Sequence, residues 1–342
     1  PTMAIVDVAD TENFDNGTIG TGPYMVETFN GVGVGYDLAA NPNYREEVPY
    51  DEVKLMYMGD ASAKTMALQS GQVDLVENIT NVSDIQDFKD NPDFTVDIAS
   101  GVRCGFSWMN FDGILGNKTL RQAILMGIDY DTICNSKTIG GLYTPGFSVL
   151  PSTLSYGYDK LTNPYTYDPE GAKKLLDDAG IVDTDGDGIL DKDGEKLSFT
   201  LTAPVDDEVR VNIGTYLSSE WKKLGVDCTM SALGWDAIDI TKCESFLLGW
   251  GSPFDADNDT YRLFTTGSAD NYGFYSNETV DKALSEARTK TEDADRAACY
   301  AEFQKAFAED PAYDLICYLD ALYAGNKRIS GPTDKELGHH GA

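Results

Sequence analysis

One pattern constrains the fold of this chain more than any other: apolar stripes at helical spacing end on glycine and lead straight into short strand-like runs. Asp60 precedes a run with Ala63, Met66 and Ala67 on one face; Gly71 closes it, and Val73-Asp74-Leu75-Val76 follows as a short buried strand. Val209, Ile213, Leu217 and Trp221 form a second stripe, ended by Gly225 and followed by the strand-like Val226 to Met230. Asp168 stands before Pro169, which suits a first helical position, with Ala172, Leu175, Leu176 and Ala179 on the apolar face and Gly180 after the last turn. Ala283, Leu284 and Ala287, then Tyr300, Phe303 and Phe307, mark two more helices split by the polar stretch Thr289 to Asp295. Phe199-Thr200-Leu201-Thr202 and Phe246-Leu247-Leu248 read as strands. Such alternation predicts α/β lobes with mixed sheets.

At 342 residues the chain can bury a large core and is expected to form two lobes. A strand-like run, Gly105-Phe106-Ser107-Trp108-Met109-Asn110, leads into a polar turn, and a second crossing is expected near Tyr313 to Leu322, after Asp310-Pro311. Two crossings make a hinge on which lobes can close. The expected lobes are residues 1–110 with 321–342, and residues 115–320. No internal repeat, low-complexity tract or apolar stretch near the roughly 20 residues of a membrane span is visible. The chain opens on Pro1-Thr2-Met3 with neither signal peptide nor lipobox, so it is expected to be a fragment of a longer product.

Charge narrows the partners. Lys and Arg number 26 against 57 Asp and Glu, a formal charge of −31, and so negative a field repels nucleic-acid backbones. It attracts cations, or only keeps a secreted protein dissolved. Six cysteines (Cys104, Cys134, Cys228, Cys243, Cys299, Cys317) show no CxxC spacing, which excludes zinc-ribbon and redox patterns. HExxH, GxSxG and GxxxxGK[ST] are absent, and the chain's two histidines lie in its last few residues. A Ser-His or Cys-His nucleophile machine is therefore close to excluded, while hydrolysis by a carboxylate pair stays open and nothing points to it. The chain is expected not to be an enzyme.

Four groups of residues are candidates for contact with a ligand. Gly249, Gly251 and Pro253 force an irregular loop after a strand, and Trp250 and Phe254 on it either line a pocket or belong to the core. Arg103 and Arg262 each offer a planar fork to a ligand carboxylate, or a partner to one of many acids. Asp183-Thr184-Asp185-Gly186-Asp187-Gly188-Ile189-Leu190-Asp191 has acids at the first, third, fifth and ninth places and glycine at the sixth, most of a calcium loop. Its twelfth place is Gly194, with Glu195 one late, and a strand follows instead of a helix, so an acidic surface turn is the alternative. His339 and His340, glycine-flanked, offer two imidazoles to a Ni²⁺, Cu²⁺ or Zn²⁺ ion, or form a flexible tail. Trp108, in the hinge run, joins the ligand-facing candidates.

A set of short segments in fixed order adds a resemblance. Gly20-Thr21-Gly22-Pro23-Tyr24 is followed by Ala40-Asn41-Pro42-Asn43-Tyr44, Leu68-Gln69-Ser70-Gly71-Gln72-Val73-Asp74 and Leu120-Arg121-Gln122-Ala123-Ile124. Tyr167-Asp168-Pro169-Glu170-Gly171-Ala172 and Gly249-Trp250-Gly251-Ser252-Pro253-Phe254-Asp255 complete it. In this order they resemble the large solute-binding proteins of bacterial ABC importers, the dipeptide, oligopeptide and nickel group. The resemblance runs from about Gly20 to the C-terminus. It implies a two-lobed, periplasmic-binding-protein-like (class II) architecture with a hinge of two crossings. It also implies capture of a peptide or a nickel-type metal chelate in an interlobe cleft, with an ABC permease as partner. A monomer is implied that sits outside the cytoplasm, as a cell-surface lipoprotein or in the periplasm, and needs no cofactor. The resemblance further implies that the group's N-terminal stretch is missing from this chain. Trp250 and the loop after it resemble the Trp-Gly-Ala-Pro-Tyr-Asp segment of the nickel branch, where the aromatics face the bound complex. Phe254 replaces the usual tyrosine, and Pro253 stands about where the peptide branch has an aspartate. The alternative is a calcium-dependent extracellular structural module built on the Asp183–Asp191 loop.

Overall fold

A computed structural model describes residues 20–77, 79, 82–136, 143–150, 156, 161–250, 256–258 and 260–329, excepting the side chains of 61, 82, 83, 99–103 and 319–321. The chain divides into two compact units, Pro1–Asp74 and Leu75–Ala342.

Within the first unit, β1 (Tyr24–Gly31), β2 (Gly35–Ala40) and β3 (Glu52–Met56) form an antiparallel meander. Gly35 turns the chain at φ +138°, and a Cβ there would lie 1.9 Å from the Leu55 carbonyl, so only glycine fits. Asn41 ends β2 by returning to the start of β1. Its backbone N–H donates to Pro23 at 2.8 Å and its side chain to the Gly22 carbonyl at 2.8 Å. The first two of the ordered segments are thus one structural unit. Helix α1 (Ala61–Gln69) is capped by Asp60, which accepts from the Ala63 N–H at 2.7 Å. It ends before Gly71 at φ +74°.

The second unit is a sheet between two helical layers. Its strands are β4 (Leu75–Glu77), β5 (Phe94–Met109), β6 (Thr144–Pro145), β9 (Ser198–Pro204), β10 (Asp227–Leu233), β11 (Ser245–Trp250) and β12 (Tyr313–Asn326). The order is β10-β9-β11-β5-β12-β4, with β6 added beside β12. Strand β9 runs parallel to β10 and β11 while the other pairs are antiparallel, so the sheet is mixed as expected. The two longest strands pair with each other, Phe94–Met109 with Tyr313–Asn326.

Side chains alternate across this sheet and feed two cores. Met109, Leu201, Leu247 and Ile316 face one layer of helices: α3 (Lys118–Met126), α4 (Tyr130–Asn135), α5 (Pro169–Asp178) and α6 (Glu208–Lys223). Cys104, Phe106, Trp108 and Phe246 face the other: α7 (Tyr261–Phe264), α8 (Glu278–Ala287) and α9 (Asp293–Glu309). Ile213, Leu217 and Trp221 of the predicted α6 stripe are buried, and the Trp221 indole donates to the Ile124 carbonyl at 3.0 Å, tying α6 to α3. Each such side chain contributes about 1.5–3 kcal/mol by leaving water. Helix α2 (Val82–Asp90) and the short hairpin β7 (Asp191–Lys192) and β8 (Glu195–Lys196) complete the unit. Among the described residues no helix is long and apolar enough to cross a membrane.

Candidate functional site

Two clusters hold some of the side chains singled out by sequence, Trp250 and Arg262 in one and Asp183, Asp185 and Asp187 in the other. The first forms where β11 ends. Trp250 is half-buried against the second core, and Arg262, carried by α7, lays its guanidinium over the indole with Cζ 4.3 Å from the ring centroid. The stack is held from behind: Arg262 Nε donates to the Asn258 carbonyl at 2.9 Å, and Nη1 lies 3.3 Å from an Asp270 carboxylate oxygen. The other Asp270 oxygen accepts from the Tyr272 hydroxyl at 3.1 Å. Partial burial, helped by Asp270, raises the Tyr272 phenol above its ordinary range, so the hydroxyl stays a donor.

Arg262 makes the ion pair that was one of its two expected roles, and it also lies against Trp250. Its side chain keeps 39% of its exposure, and among the described residues Nη2 takes no hydrogen bond. A guanidinium stacked on an indole and oriented by a carboxylate is a preformed donor for a carboxylate or another planar anion. Asp270 and Tyr272 lie in a polar stretch with no periodicity, and no sequence signal marked them.

Phe254 lies outside the described residues, as do the side chain of Arg103 and both His339 and His340. Trp108 requires a correction. Its ring is 1% exposed in the second core, 6.5 Å from that of Phe246, and its indole N–H has no hydrogen-bond partner among the described residues. The alternation of β5 turns it toward the helical layer with Cys104 and Phe106, so it packs and does not present a surface to a ligand.

The second cluster is the acidic loop. Asp183, Asp185 and Asp187 bring carboxylate oxygens within 4.8 Å of one another, all three exposed. Asp183 accepts from the N–H groups of Gly186 and Gly188 at 2.7 and 2.9 Å, which holds its carboxyl below the usual range. Lys196, from β8, places its ammonium 2.7 Å from Asp185 and 2.9 Å from Asp187. That contact lowers Asp187 and raises the lysine. Asp191 is a correction to the expected ligand set: it stands outside the trio, 5% exposed, and accepts the Thr184 N–H at 3.0 Å and the Thr184 hydroxyl at 2.8 Å. Instead of an exiting helix the loop has a tight hairpin, turned by Asp193 at φ 55° and Gly194 at φ 84°.

Comparison with known proteins assigns the family. The profile of the bacterial extracellular solute-binding proteins, family 5 (middle), matches residues 2–272, and the chain belongs to that family. It is 28% identical to the oligopeptide-binding protein AppA of Bacillus subtilis (strain 168) over 96% of this chain and 62% of AppA. It is 21% identical to the nickel-binding periplasmic protein of Escherichia coli (strain K12) over 94% of this chain and 63% of that protein. Among solved structures, NikZ from Campylobacter jejuni in complex with Ni(L-His) superposes with a TM-score of 0.83 at 29% identity, covering 96% of this chain and 67% of NikZ. AppA of B. subtilis in complex with a nonapeptide gives 0.77 at 25% identity, over 91% of this chain and 63% of AppA. The fold is that of family 5 solute-binding proteins, α/β with mixed sheets. This chain spans about three fifths of the length of the curated relatives it matches.

Proposed function

We propose that this chain is the larger part of an extracytoplasmic solute-binding protein that delivers a peptide or a chelated metal, such as a nickel–histidine complex, to an ABC permease. The observation that carries the reading is the Trp250–Arg262 stack, held in place by Asp270, in a chain of this family. An aromatic wall with a guanidinium beside it suits ligands that end in carboxylates, and peptides and amino-acid chelates both do. Ligand would act by shifting the population toward a closed form, not by chemistry. Trp250 and Arg262 would serve one ligand surface.

A thermal-shift screen tests this on the chain extended to the length of its relatives, against dipeptides, oligopeptides and nickel with histidine. Stabilisation by one class, with the compound recovered unchanged, supports the reading and names the ligand. Turnover of the compound, or a co-purified sugar or polyamine, overturns it. Isothermal titration of the 342-residue chain beside the extended one is expected to show weaker binding by the shorter chain, since a ligand needs walls on all sides to exclude water.

A further inference from the structure

Asp314 is the one acid that the described structure buries completely, at 0% exposure. It lies on β12 with Ser107 of β5 opposite, and Leu247 of β11 lies opposite Ser107, so the three share the face toward α4. Tyr130 of α4 donates its hydroxyl to one carboxylate oxygen at 2.6 Å. The second oxygen has no hydrogen-bond partner among the described residues, and neither has the hydroxyl of Ser107, itself 0% exposed. Among the described residues the titratable group that touches Asp314 is Tyr130 of α4, not a cation; Cys134 of the same helix lies near Tyr130 and is not a cation either. Ser107 and Leu247 bring no charge from β5 and β11. Arg121 of α3 is engaged with Asp310 and with the Pro311 and Leu115 carbonyls. A carboxylate with one neutral donor and no cation is costly inside a protein, whereas the neutral acid is tolerated.

We propose that Asp314 is a built-in proton-binding site: unit 2 folds with this side chain neutral, and ionising it loosens the packing of β12 against α4. Burial raises the acid to about 7, against about 3.9 in an unfolded chain. The folded state then holds one more proton than the unfolded state between those values. The stabilisation is full below the unfolded value, declines as pH rises, and is gone above the folded one. A protein of this family meets the pH of its surroundings, and this site would make it firmer in acid and looser above neutrality.

The test compares the wild-type chain with Asp314→Asn in urea unfolding from pH 5 to 8. The amide has the carboxyl's shape without its proton equilibrium. Between about pH 5 and 7 the wild-type unfolding constant should rise about tenfold per pH unit relative to the variant. At pH 8 the variant should be the more stable of the two. Parallel pH profiles, or a variant less stable than wild type at pH 8, overturn the proposal. Should Asp314→Asn not fold, infrared spectra of the wild-type chain decide: a protonated-carboxyl band at pH 6 that vanishes with a midpoint near neutrality supports it, and no such band at pH 6 refutes it.

Discussion

Arg121 is the residue whose loss the structure prices most directly. It sits in the middle of α3, 1% exposed, and its fork reaches three acceptors. Nε donates to the Pro311 carbonyl at 2.8 Å, Nη1 to the Leu115 carbonyl at 2.7 Å, and Nη2 to the Asp310 carboxylate. The guanidinium also lies over Phe111, 4.0 Å from the ring centroid. Burial lowers its proton affinity and Asp310 restores part of it. Arg121→Ala leaves Asp310 without its cation and two carbonyls without donors. Breaking a buried pair costs about 3–5 kcal/mol. The Asp310 side chain is 21% exposed and bonds Asn277 at 3.4 Å, so it rehydrates in part, and the lower end, about 3 kcal/mol, is expected. Lysine keeps the charge but cannot reach three acceptors, so Arg121→Lys should cost about 1–2 kcal/mol. Tryptophan fluorescence in urea reports this cleanly, because all four tryptophans (108, 221, 235, 250) lie in the second unit. A loss below about 1 kcal/mol in the alanine variant, against a total stability of about 5–15 kcal/mol, would refute the argument. So would the absence of coupling to Asp310→Asn in a double-mutant cycle.

Two further variants address the clusters. Trp250→Ala in the extended protein should weaken ligand binding about tenfold, from loss of an aromatic wall and of the surface on which Arg262 rests. A loss of about 3–5 kcal/mol in stability with normal binding by the folded fraction would instead make Trp250 a core residue. Lys196→Met removes the ammonium from the Asp185–Asp187 pair, so Ca²⁺ should raise the thermal midpoint of the variant more than that of the wild type. An equal response in both would show that the lysine does not compete for the site.

Elements with strong periodicity and caps were legible in the sequence. The α5 cap is the clearest: Asp168 accepts from the Gly171 N–H at 2.8 Å with Pro169 at the first helical position. The split between α8 and α9 was legible too, because Thr289 to Asp295 carries no apolar face. Long-range placement was not. The register that sets Trp250 beside Cys104 and turns Trp108 inward depends on which strands pair, and a period of two cannot say which face meets which layer. Spacing suggested a calcium loop at Asp183–Asp191. It could not show that Lys196, eleven residues beyond Asp185, returns through a hairpin to supply a cation from within the chain.

The two corrected residues share a cause. Trp108 and Asp191 were chosen by type and by local company, and each turned out to be held by a partner that local company does not reveal. An aromatic on a strand and an acid in a loop are ambiguous until the opposite wall is known: the ring of Trp108 faces Phe246, and the carboxylate of Asp191 faces the backbone and hydroxyl of Thr184. Arg262 shows the converse. Its pairing with Asp270 fits a structural reading, yet the pairing also holds the guanidinium over Trp250. A long, flexible side chain loses little further freedom on meeting a ligand when it is already held in place. At this site, then, the ion pair and the proposed binding role would be complementary, because the first makes the second less costly.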